Sequence, residues 1–569
     1  MAHPERLWWK DAVVYQIYPA SFKDSNNDGL GDIPGIISKI DYLEDLGIDV
    51  VWLSPMYESP QVDMGYDISN YEAVHSPYGT VEDMETLIKA CHDRGIRLIL
   101  DLVINHTSSE HSWFKESRSS KNSPKRDWYI WRPAKYDKDG NRMPPNNWRS
   151  AFGGSSWEWD DVTEEYYLHI FAKEQPDLNW ENQATREAIY SSAMRFWLDK
   201  GVDGFRVDMV NMYSKGTELP DAPIVDSASF TQPALELICN GPRMHEFLCE
   251  ISEVLAVYNA MAVGELPNTP DPAHVLRYVG AAQKQLNMVF QFDLSDVGIG
   301  GSKYDYVGFE LSEFKAIVTK WQKFIDGTDG WTTVFSESHD QGRSISRYAS
   351  DTPQHRTSSG KMLAILMTTL TGTLFVYQGQ ELGMVNMQNN WTIEDCRDIE
   401  AINHYDCIKK STSSNEKALE KVMQGIHLCG RDNARTPMQW EDTANAGFST
   451  ARPWMRVNDL YPEINVAQQQ GDTNSVLSFW KKMLRLRKEF CDLFVYGTFE
   501  DIDGGTAEIF VYGKQFNGKK AVVALNFTGA LQRFVRPAVE GNWELLVSSS
   551  RVLEEGSLHP YEGRAYLVS

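Results

Sequence analysis

Short apolar runs recur along the chain, each followed by a polar cluster and most of them preceded by a segment with helical spacing of its apolar residues. Val13 to Tyr18 is β-branched and aromatic and stops at Pro19, which predicts a strand. A helical pattern from Ile36 to Leu46 closes at Gly47, and Val50 to Leu53 reads as strand two. A helix over Val81 to Arg94 leads through Gly95 to strand three, Leu98 to Val103. The pattern then breaks from about 107 to 179 into a Trp-, Asn- and Gly-rich stretch too long for a plain loop, which predicts a small inserted domain.

The repeat resumes with a helix over Arg186 to Lys200 and strand four, Gly204 to Val207. Strand five is Ala262 to Gly264, strand six Met288 to Phe292, strand seven Thr332 to Phe335 and strand eight Thr373 to Tyr377. A second irregular insert fills about 382 to 474, and a helix over Val476 to Glu489 ends the series. Eight strands alternating with helices predict a (β/α)8 TIM barrel. Beyond about 496 the period changes to two, with a turn at Asn517-Gly518, which predicts a C-terminal antiparallel β-sandwich domain. The expected layout is therefore barrel over 1–106, inserted B domain over 107–179, barrel again over 180–495, and the β domain over 496–569.

Charge and cysteines narrow the function classes. The 569 residues carry 55 Lys and Arg against 79 Asp and Glu, a formal charge of -24 that repels nucleic acid and anionic membrane. Seven scattered cysteines without Cys-x-x-Cys spacing fit a reducing compartment and argue against a zinc site or disulfide framework. With no apolar signal segment or membrane-length run, the expectation is a soluble, cytoplasmic, monomeric protein.

The candidate chemistry lies just past the strand ends. In a parallel barrel, polar residues at those positions converge on one rim; here they include Asp67, His106, Arg206, Asp208, Glu265, His339 and Asp340, with Arg435 from the second insert. Arg206 and Asp208, two apart, share a side of strand four, and alone they read as a structural ion pair. With Glu265 and Asp340 they supply what glycoside hydrolysis needs, one carboxylate to attack and one of raised pKa to protonate the leaving oxygen. Arg206 keeps Asp208 ionised, the apolar approach to Glu265 suits an acid, and Asp340 is placed to stabilise positive charge. Separately, Asp24-Ser-Asn26-Asn-Asp28-Gly29-Leu30-Gly-Asp32 repeats the first part of an EF-hand loop but has Gly35 where the bidentate Glu belongs. It reads either as a weak or structural Ca2+ or Mg2+ site or as a metal-free polar turn.

The stretches GFRVD (204–208), VGE (263–265), ESHD (337–340), DLVINHTS (101–108), MGYDISNY (64–71), YQGQELG (377–383) and RDNARTPMQW (431–440) together resemble the α-amylase family of glycoside hydrolases, in its α-glucosidase and oligo-1,6-glucosidase branch. The resemblance implies a retaining, exo-acting α-glucosidase on short saccharides, with Asp208 as nucleophile, Glu265 as acid/base and Asp340 as stabiliser. It implies that Asp67 and Arg435 hold the far hydroxyls of the terminal glucose. Tyr66, Phe152 and Phe171 would form aromatic walls, and His106 and His339 would bond its hydroxyls. It also implies structural Ca2+ bound by Asp24, Asn26, Asp28, the Leu30 carbonyl and Asp32. Ser338 and Gly342 depart from the usual Asn and Pro. Met209 stands where relatives carry Val, Thr or Ala, which leaves linkage preference open. The alternatives are a sucrose-using glucosyltransferase or isomerase of the same family and, from another class, a non-catalytic barrel subunit.

Overall fold

The computed structural model describes residues 5–502 and 506–569. Eight parallel strands form one sheet: β1 Val13–Ile17, β2 Val50–Leu53, β3 Arg97–Leu102, β4 Gly204–Val207, β5 Met261–Glu265, β6 Met288–Phe290, β7 Thr333–Val334 and β8 Thr373–Tyr377. The hydrogen-bonded order runs β6-β5-β4-β3-β2-β1-β8-β7, and the Thr332 and Thr333 hydroxyls close the ring by donating to the Val289 carbonyl at 3.0 and 3.2 Å. Nearly every strand residue is buried, as expected where helices cover one face and the barrel core fills the other. Trp52, Phe290, Phe335 and Phe375 pack against one another inside the barrel, Phe290 edge-on to Phe335 at 5.0 Å and to Phe375 at 4.7 Å. This aromatic plug is the floor on which the polar rim stands.

The helix before β4 begins at Gln183 and runs to Leu198 with a π-type stretch over Tyr190–Arg195, earlier and less regular than its spacing predicts. The stretch after β3 contains a three-stranded antiparallel sheet, with Glu165–Leu168 between Trp131–Arg132 and Trp157–Asp160. The second insert is more regular than its sequence reads. It contains two packed helices, α1 Ile399–Ser411 and α2 Glu416–Cys429, each started by a side-chain cap, Asp398 and Asn415.

At the C-terminus, the expected sandwich is a five-stranded antiparallel sheet with a two-stranded ribbon, Gln532–Arg533 with Ser557–Leu558, over one face. Its other face packs on the fully buried part of the helix Arg356–Thr369, where Thr369 and Tyr512 hydroxyls bond at 2.6 Å. Among the described residues no helix is long and apolar enough to cross a membrane. All seven cysteines are free.

Candidate active site

The segments following strands β2 to β7 deliver polar residues to one pocket of about 470 Å³. Arg206, on β4 and 2% exposed, is the hub. Its Nη1 donates to Asp208 Oδ1 at 2.6 Å and to Asp101 Oδ1, at the end of β3, at 2.8 Å, while Nη2 lies 2.7 Å from Glu265 Oε2 at the end of β5. Three carboxylates thus share one guanidinium. Burial pushes Asp208 up to about 7 and Glu265 up to about 8 against the pull of Arg206, and neighbouring carboxylates add to it, Asp101 and Asp340 for Asp208 and Asp208 and Asp340 for Glu265. Asp101 is raised to about 6, again by burial.

The opposite wall has the reverse balance. Asp340 Oδ1 accepts from Arg435 Nη2 at 2.9 Å and faces Arg431 Nη1 at 3.6 Å, and Oδ2 lies 2.9 Å from His339 Nε2. Burial alone would raise Asp340, but His339 and the two arginines outweigh it and hold the carboxyl well below its ordinary range. His339 itself is lowered to about 4 by burial. Its Nδ1 accepts from Gln16 Nε2 at 2.8 Å, so the ring proton sits on Nε2 and faces Asp340 and the pocket. Tyr66 stacks on His339 with ring centroids 5.2 Å apart and donates its hydroxyl to Asp101 Oδ2 at 3.0 Å, joining the two walls.

Of the residues expected from sequence, Tyr66, His106, Phe152, Phe171, Asp208, Met209, Glu265, His339 and Asp340 line the pocket, and Arg206 stands directly behind the carboxylates. Phe171 packs between His106 and Phe152, with centroids 5.2 and 5.8 Å away. Asp67 departs from expectation. It is fully buried and turned away, accepting from the Ser59 hydroxyl and the Val62 and Asp63 N–H groups. The cause is local: Met64 (φ 49°) and Gly65 (φ 100°) are left-handed, and the tight turn sends Asp63 and Tyr66 to the pocket and Asp67 back onto the loop. Arg435 likewise lies behind the lining, bound to Asp340 and to the His339 carbonyl at 3.0 Å, while Arg431 reaches the pocket and pairs with Asp63 at 3.1 Å.

Sequence reading missed Asp63, Arg431 and Asp101. The Asp63-Met-Gly-Tyr-Asp67 and Arg431-Asp-Asn-Ala-Arg435 stretches carried the signal, since each offers two like residues four positions apart.

The pocket mouth is built from both inserts. Asn403 of α1 donates to the Phe152 carbonyl at 3.2 Å, and Glu400 pairs with Lys303 at 2.8 Å. Met209, with φ 42°, borders the outer part of the pocket, and its N–H faces Glu265 Oε2 at 3.4 Å.

The 24–32 loop offers only oxygen donors, which suits a hard cation. Its groups are nonetheless engaged locally. Asp24 accepts from the N–H groups of Asn26, Asn27 and Gly29, and Asp28 from that of Leu30. Asp32 accepts from Ser25 and caps the short helix Ile33–Ile37 through Gly35 N–H at 2.6 Å. Among the described residues no three Asp, Glu, His or Cys side chains are gathered as an ion site. Asp24, Asn26, Asp28, the Leu30 carbonyl and Asp32 are all compatible in chemistry with such an ion.

The family model described as alpha amylase, catalytic domain, matches residues 16–497. An alpha-glucosidase of Candida albicans is 52% identical, covering 99% of this chain and 100% of the relative. The oligo-1,6-glucosidase IMA2 of Saccharomyces cerevisiae is 47% identical over 100% of this chain and 99% of its own. Among solved structures, a mutant of the trehalulose synthase MutB in complex with Tris superposes with a TM-score of 0.93 at 40% identity, covering 99% of this chain and 100% of that one.

Proposed function

The chain belongs to the alpha-amylase family of glycoside hydrolases, and we propose that it is an exo-acting, retaining α-glucosidase releasing terminal glucose from short saccharides such as maltose, isomaltose or sucrose. The observation that carries this reading is the pair Asp208 and Glu265 on two nitrogens of one guanidinium, facing an ionised Asp340. Two carboxyls bound to a single guanidinium suit the short separation of retaining pairs, about 5–5.5 Å, better than the longer one of inverting pairs.

In the proposed reaction, Asp208 attacks the anomeric carbon while Glu265 gives its proton to the glycosidic oxygen. The leaving group departs as an alcohol, and a glucosyl ester remains on Asp208. Glu265, now ionised, takes a proton from water as its oxygen attacks the same carbon, and Asp208 is released with net retention. Asp340 stabilises the oxocarbenium-like charge in both steps. Asp63 and Arg431 take the role expected of Asp67 and Arg435, gripping the hydroxyls at the far end of the sugar. A second sugar replacing water gives transglucosylation, and the similarity to a trehalulose synthase favours testing that outcome.

Anomer-resolved product analysis on maltose, isomaltose and sucrose tests the reading, with α-glucose expected first; initial β-glucose overturns it. Sucrose at high concentration yielding rearranged disaccharides in place of glucose and fructose would transfer the assignment to the isomerase alternative.

We further propose that the protein works as a cytoplasmic monomer, which the free cysteines support. For the 24–32 loop we propose Ca2+ held by Asp24, Asn26, Asp28, the Leu30 carbonyl and Asp32. A melting temperature that Ca2+ leaves unchanged after chelator treatment removes the metal.

A further inference from the structure

A cavity larger than the catalytic pocket lies at the other end of the barrel, where the strands begin. It measures about 960 Å³ and opens between the barrel and the C-terminal sheet. Leu255, Leu286, Ile325 and Val495 supply apolar wall, and none of the proposed catalytic residues reaches it.

One side chain there lacks a partner. Lys10, only 8% exposed, lines the cavity, and among the described residues its ammonium makes no hydrogen bond and no ion pair. It sits instead over two aromatic rings, 5.3 Å from the centroid of Trp9 and 4.9 Å from that of Trp331. A cation–π contact offsets only part of the cost of removing an ammonium from water. Burial accordingly lowers the pKa of Lys10. Glu5, Asp11 and Asp329 lie near enough to favour its charged form, but among the described residues none comes within ion-pair distance; Asp326 accepts from Phe499 N–H at 2.6 Å, and Asp329 from Ala282 N–H at 3.1 Å.

The geometry points to a second ligand site, for a monoanion whose single carboxylate or sulfonate meets Lys10 and whose apolar body fills the cavity. Glu5, Asp326 and Asp329 along the lining, set against Lys10 and Lys284, disfavour every added negative charge, so the site admits only a single anionic group held at Lys10 and selects against phosphate esters and nucleotides. The volume falls within the range of ordinary small-molecule pockets, whose walls are largely apolar with a few placed polar groups.

Anilinonaphthalene sulfonate, one sulfonate on an aromatic body, is the probe. Fluorescence titration of the intact enzyme is expected to show one site per chain that saturating glucose does not displace. Lys10→Met keeps the apolar stem and removes the charge, and is expected to weaken binding about tenfold. Ala256→Trp, which narrows the cavity while leaving Lys10 in place, is expected to weaken it comparably. Because Ala256 is an exposed residue of the helix Met244–Tyr258, this variant carries the test if the lysine variant fails to fold. Binding unchanged in a folded variant, or displaced by glucose, overturns the site.

Discussion

The two walls of the catalytic pocket are made from the same residue types and hold their protons in opposite ways. On the Arg206 wall three carboxylates crowd one cation, and Asp101, Asp208 and Glu265 rise to about 6, 7 and 8. On the Arg431 wall two arginines and His339 surround Asp340, which is held well below the ordinary range, and Asp398, paired with Arg431 at 2.5 Å, is lowered to about 2. Burial raises all of these groups, so it does not separate the walls. The share of cation each carboxyl receives does: Asp208 and Glu265 divide one guanidinium with Asp101, whereas Asp340 meets Arg431, Arg435 and His339 together, although Asp63 on the same wall is still raised by burial.

The largest expected break of this contrast is Asp208→Asn, which removes the attacking group. A loss in kcat on the order of 10⁴ to 10⁶ is expected on maltose, the scale known for deleting a nucleophile. Glu265→Gln comes next, with a loss of roughly 10² to 10⁴ on a disaccharide. Much of that loss should be recovered on p-nitrophenyl α-glucoside, whose leaving group needs little protonation. In the unmodified enzyme activity should fall as pH rises through about 8, where Glu265 loses its proton, and as pH falls through about 7, where Asp208 gains one. The alkaline limb should disappear in the Gln variant.

On the other wall, Arg431→Lys keeps the charge and loses the fork that serves Asp63, Asp398 and Asp340. Losing one charge-assisted bond of about 1.5–3 kcal/mol predicts roughly a ten- to hundredfold fall in kcat/KM, mostly through KM.

The smallest effect is on stability. The folded pKa of Glu265 lies above the unfolded carboxylate value, so the fold binds its proton more tightly than the unfolded chain does. Its contribution is then most favourable below about pH 4 and declines as pH rises to about 8. Relative to the unmodified enzyme, Glu265→Gln should therefore gain about a degree or two in Tm between pH 4 and pH 8. Asp340, with its lowered pKa, has the opposite dependence: its stabilisation is present above about pH 4 and fades as pH falls further.

The barrel was legible because each of its strands is a buried apolar run, and β2, β4 and β8 fall on their expected residues. The carboxylates were legible because a strand end needs no further information to reach the rim. Asp63 and Arg431 were not, because the choice depends on backbone handedness at Met64 and Gly65 and on which end of the short helix Asp432–Arg435 faces the cavity. No hydrophobic period encodes either. The Asp101 partnership was hidden for another reason: β3 and β4 are neighbours with Asp101 opposite Arg206, a register that links positions 105 residues apart. The helices of the second insert escaped because α1 buries only Ala401 fully, too weak a stripe to stand out.

The Asp63–Arg431 pair in the pocket wall also sets what the enzyme counts. For an exo-acting enzyme that grips the terminal sugar through this pair, the concentration that matters is that of non-reducing ends. At equal mass, doubling the length of a linear glucan halves those ends, and the initial rate of glucose release should halve with them, while branching should restore it.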